Sequence, residues 1–71
     1  MTDEEDALAD ALADARVLYD LGAETEEAVA RLRPELRTKG AKAAADGFAL
    51  VGKFLKDGAE AIIERAEAQG P

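Results

Sequence analysis

Residues 42–63, KAAADGFALVGKFLKDGAEAII, hold three glycines, Gly47, Gly52 and Gly58, inside a stretch that otherwise reads as helix. If Asp57 and Gly58 make a turn, the chain folds as short helices. If the glycines lie within one helix, it is built on a rod. Turning about 100° per residue separates the two readings. With Gly47 at zero, Leu50, Phe54, Val51, Ala44, Ile62, Leu55 and Phe48 fall within about 60° one way and 100° the other. Lys42, Asp46, Lys53, Lys56, Asp57, Glu60, Glu64 and Glu67 fall opposite, and only Arg65 breaks the pattern. A helix broken at Asp57–Gly58 has no reason to keep its phase, so the spacing predicts one helix over residues 41–68. The competing reading is a restart with Asp57 as N-cap and Glu60 at the third position.

On this wheel Gly58 lies about 20° from Gly47, Gly40 falls on the same line, and Gly52 lies off it towards the edge of the apolar face. A glycine inside a helix costs about 1 kcal/mol relative to alanine. Close approach by another helix compensates, because glycine lets backbones come nearer than side chains allow. Gly47, Val51, Phe54, Gly58 and Ile62 are therefore the expected partner interface. Such a helix is about 42 Å long, more than the width of a compact monomer of this size, which predicts self-association.

Towards the N-terminus, residues 3–21 read as a first helix. Thr2 and Glu5 have capping-box spacing, and Leu8, Leu12, Ala15 and Tyr19, flanked by Ala11 and Leu18, form one stripe. Gly22 reads as its left-handed stop. A second helix is expected over residues 26–38, with Thr25 as N-cap, Val29, Leu32 and Leu36 on one side, and a kink or break at Pro34. Arg37 and Lys39 before Gly40 read as a helix end. The expected fold is all-α: a small three-helix domain, a helical hairpin plus a long amphipathic C-terminal helix, in one domain over residues 1–71.

A chain of 71 residues forms at most one domain, at a size where a single core is marginal and oligomerisation a common remedy. The absence of cysteine excludes disulfides and thiolate metal sites. The acidic start, MTDEED, lacks the basic and apolar regions of a signal peptide, and no apolar run is long enough to span a bilayer, so the expectation is a soluble, cytoplasmic protein. The net charge of -7 is unevenly laid out. Asp3, Glu4, Glu5, Asp6, Asp10 and Asp14 make an acidic surface near the start, and Arg31, Arg33, Arg37, Lys39 and Lys42 make a basic patch near the middle. Intramolecular complementarity is the expected use of that sign change.

The chain also has no His, Ser, Asn or Trp. Ser–His and Cys–His nucleophiles, His-ligated zinc and an Asn oxyanion donor are thereby excluded. The carboxylate pairs one turn apart, Asp10 with Asp14 and Glu60 with Glu64, lie on polar helix sides and read as solvated charge. Neither an enzyme nor a cofactor is expected. The basic patch sits in an acidic chain and has no aromatic residue interleaved, which disfavours nucleic acid as a partner. GFALVGKFLK, residues 47–56, is similar to membrane-active amphipathic helices, but acidic residues share its polar face, and core packing is the favoured use of its stripe. The expected role is a non-enzymatic interaction or assembly module, joined to itself or a partner helix through the long helix. An acidic inhibitor or antitoxin-like protein filling a basic groove through helix one is the alternative, and peripheral membrane association is a third.

Overall fold

The computed structural model describes residues 3–69. They form two long α-helices, α1 (Asp3–Leu32) and α2 (Lys39–Gln69), joined by a 3-10 turn at Arg33–Glu35, in an antiparallel hairpin. Its principal extents are 54 × 15 × 13 Å. The radius of gyration is 16.2 Å, whereas a compact domain of this length has about 11 Å.

The long helix expected over residues 41–68 is present and runs unbroken through Asp57 and Gly58. The expected first and second helices, however, are one. α1 passes through Gly22 and Thr25, no glycine among the described residues has a positive φ, and the Thr25 hydroxyl donates to the Leu21 carbonyl at 2.8 Å inside the helix. The three-helix count is corrected to two, because Gly22 serves inter-helix packing rather than termination. The Thr2 half of the capping box lies outside the described residues.

The break falls at Pro34. α1 ends at Leu32, Pro34 is the second residue of the 3-10 turn, and Leu36 is extended with its N–H bonded to the Arg33 carbonyl at 3.1 Å. Proline can neither donate an amide bond nor fit behind a preceding helical turn, which sets the stop. Thr38 starts α2: its hydroxyl accepts the Ala41 N–H at 3.1 Å, and its carbonyl accepts the Lys42 N–H at 3.1 Å. Gly40, expected near a break, lies instead within the first turn of α2.

The hairpin is held by small residues. Among the described residues the buried positions are Ala15, Gly22 and Val29 on α1, and Ala45, Gly52, Ala59 and Ala66 on α2, each seven residues from the next. A seven-residue repeat keeps one stripe facing the partner helix over many turns. At the crossing Gly22 meets Gly52: a Cβ on Gly22 would lie 2.5 Å from the Gly52 carbonyl oxygen, and one on Gly52 would lie 2.8 Å from that of Gly22. Stepping seven residues along both helices in opposite senses then brings Ala15 level with Ala59, Val29 with Ala45 and Leu8 with Ala66. Every level has at least one small side chain, and the backbones close on each other accordingly. Among the described residues, no large side chain is fully buried.

Candidate protein interface

The two long edges of the hairpin differ in chemistry. On one edge Lys56 donates to Glu26 at 3.3 Å and lies 5.4 Å from the centre of the Tyr19 ring, while Arg33 pairs with Asp46 at 2.7 Å near the turn. Glu26 holds the Lys56 ammonium above its ordinary pKa of 10.5, first through their hydrogen bond and then through its charge. The Lys56–Glu26 pair lies beside the Gly22–Gly52 crossing.

The opposite edge is apolar. Near the chain ends it forms an open groove lined by Ala7, Leu8, Ala11 and Asp14 from α1, and Ala61, Ile62, Arg65 and Ala66 from α2. Seven-residue steps extend these lines along the rod. Ala11 leads to Leu18 and, two steps further on, to Leu32; Asp14 leads to Leu21 and Ala28; Ile62 leads back to Leu55 and Phe48; Arg65 leads back to Gly58 and Val51; Ala61 leads back to Phe54. The resulting strip is predominantly aliphatic and aromatic. It is also uncovered: Phe54 is 71% exposed and Phe48 62%, with Leu21, Leu32 and Val51 about half exposed.

All five residues of the sequence-derived interface therefore sit on or beside one accessible strip. Val51, Gly58 and Ile62 are on the apolar edge, with Gly47 and Phe54 on its outer side. The expectation of core packing for the stripe in residues 47–56 is corrected, because Phe48, Leu50, Val51 and Phe54 are exposed and only Leu55 is half-buried. The cause is that α2 meets α1 through the line Ala45–Gly52–Ala59–Ala66, about 100–160° round the helix from Gly47. A Cβ on Gly47 or Gly58 would meet nothing within 4 Å, so neither is a contact point between the helices of one chain. Gly22 and Gly52 are, and the sequence reading missed both; the small residues at seven-residue intervals were the signal.

The acidic side chains Asp3, Glu5, Asp6, Asp10 and Asp14 are exposed, as are Arg31, Arg33, Arg37, Lys39 and Lys42 round the turn. The structure does not bring these sets together within the chain: the acids lie at the open end of the rod and the cations at the turn. The side chain of Glu4 lies outside the described residues. Among the described residues, no group of three or more His, Cys, Asp or Glu is placed to hold a metal ion, and no helix is long and apolar enough to cross a membrane. Comparison with known proteins finds no matching family model, no matching curated protein and no matching solved structure.

Proposed function

We propose that the protein is a non-enzymatic interaction module: a helical hairpin that joins to itself or to a partner helix through the apolar edge carrying Val51, Phe54, Gly58 and Ile62. The observation that supports this is the uncovered strip itself. Phe54, Phe48, Leu32, Val51 and Leu21, each about half exposed or more, share its seven-residue lines. Contiguous apolar patches on an otherwise charged protein mark interaction sites. The hairpin already satisfies its own closest packing through the small-residue line, so the large side chains remain for a second helical surface.

The test uses a labelled synthetic peptide of residues 39–69 as the partner helix, titrated with the protein at a dilution where light scattering shows single chains. Saturable binding that Phe54→Lys abolishes and Leu50→Lys leaves intact is the expected result. Leu50 is a matched control, exposed like Phe54 but beside Asp46 and Lys53 on the charged side. No binding, or binding indifferent to Phe54→Lys, removes the proposal.

A further inference from the structure

We infer that the occupant of the apolar edge is a second copy of this chain, docked with its turn at the opposite end, so that two hairpins close into an antiparallel four-helix bundle. This rests on the reading of that edge as a docking surface, and adds who docks and in which direction.

The single chain exposes 5603 Å², whereas a compact monomer of 7.5 kDa exposes about 4,200 Å². The excess, about 1,400 Å² per chain, is enough to supply a substantial homodimer interface and exceeds the roughly 800 Å² per partner of an ordinary complex. It is also distributed correctly for a flat pairing of two rods, since apolar residues run from Leu8 to Leu32 on α1 and from Phe48 to Ile62 on α2.

Charge selects the direction. Residues 28–46, at the turn, carry Arg31, Arg33, Arg37, Lys39 and Lys42 against Glu35 and Asp46, a net of +3. At the open end, residues 3–16 and 58–69 carry nine acids against Arg16 and Arg65, a net of -7. Two such rods laid with their turns together would oppose cation to cation and acid to acid. Reversed, each basic turn lies against the other copy's acidic end, an arrangement that electrostatic complementarity favours. A two-fold axis across the helix midpoints does this with one self-complementary surface. Phe54 is the middle residue of α2. The same axis therefore sets Phe54 beside its counterpart and brings Val51 of one copy near the level of Gly58 in the other, where the missing Cβ leaves room.

An anionic membrane fits less well, because Asp10, Asp14 and Glu24 border the α1 side of the strip. An unrelated helical partner would have no reason to match both the charge reversal and the excess area.

The chain has no cysteine, so Glu35→Cys gives a single labelling site on the exposed 3-10 turn. Spin-labelled protein is studied by light scattering up to millimolar concentration and by pulsed dipolar distance measurement. The expected result is a species of about 15 kDa, twice the chain mass, with labels about 50 Å apart, close to the 54 Å length of the rod. A 15 kDa species with labels within about 25 Å of each other overturns the direction. A monomer at every concentration overturns the second copy, while the peptide titration decides separately whether the apolar edge docks on helices at all. Phe54→Lys, at an exposed position that leaves the hairpin core untouched, should raise the dimer Kd about tenfold or more with circular dichroism unchanged; an unchanged Kd would overturn the proposal as well.

Discussion

Two pairs of glycines occupy the same two helices and meet opposite surroundings. Gly22 and Gly52 stand where the helices cross, each with the other's carbonyl oxygen in the space a Cβ would need. Gly47 and Gly58 stand on the outer surface of α2 with nothing within 4 Å. All four have ordinary negative φ, so none is there to turn the chain. The first pair permits contact within the hairpin, whereas the second leaves a shallow place on a surface that the hairpin does not cover. A helical glycine therefore reports close approach only once it is known which side of the helix is already occupied. In this protein the occupied side is the alanine–glycine line, and the larger apolar side faces out.

Substitution can break this comparison at several points. The largest effect is expected at the crossing. Gly22→Leu and Gly52→Leu should each destabilise the hairpin by about 3 kcal/mol or more, because the displaced neighbour is backbone and cannot rotate away. Even Gly22→Ala should cost about 1–3 kcal/mol despite the helix-propensity gain. Urea unfolding followed by circular dichroism measures both, and a stabilised Gly22→Ala would show that the helices are further apart than described.

On the outer surface the effect moves from folding to association. Gly58→Leu should leave helicity intact and raise the Kd for association about tenfold, by filling the space another helix enters. Sedimentation at several concentrations reads this directly, and unchanged association would mean that Gly58 is not at the interface. Gly47→Ala should stabilise the helix by about 0.5–1 kcal/mol, since its φ is ordinary and the new methyl group meets nothing. A loss of stability there would place Gly47 in a tight contact.

The smallest effect concerns the charged edge. The Lys56 pKa is raised in the folded chain, chiefly by the hydrogen bond from its ammonium to Glu26. A raised folded-state pKa stabilises fully below the unfolded value of 10.5 and loses that contribution as pH climbs through the folded value. Stability of the parent protein should therefore fall above pH 10.5 by slightly more than that of Lys56→Met, measured by thermal melts across that window. Identical slopes would show that the pair contributes nothing, as exposed ion pairs often do.

The all-helical class and the continuity of α2 were legible in the sequence, because the apolar phase survives Asp57–Gly58 and no physical break could preserve it. The stop at Pro34 was legible in part, since proline dictates an interruption but not which side of it the next helix starts. Gly22 was misread for a definite reason: Gly22 and the Thr25 after it match a helix end and a new N-cap, and only the facing Gly52 reveals the other use. The large apolar face of α2 was legible in the sequence, but the face through which α2 packs on α1 was not. A helical wheel weights large side chains, so it centred the apolar face of α2 on Gly47, Val51 and Phe54. The chain instead packs first through Ala45, Gly52, Ala59 and Ala66, whose low hydrophobicity hides them on such a wheel and whose small size decides the contact.

Small residues close the hairpin, and large ones are proposed to close an assembly. The most direct measurement is an isotope-filtered NOE experiment on an equimolar mixture of labelled and unlabelled protein. Gly22–Gly52 contacts within each chain are expected at every concentration, with contacts from Phe54 and Val51 appearing between chains. Contacts from the Phe54 ring to α1 of its own chain, with no Gly22–Gly52 contact, would contradict this.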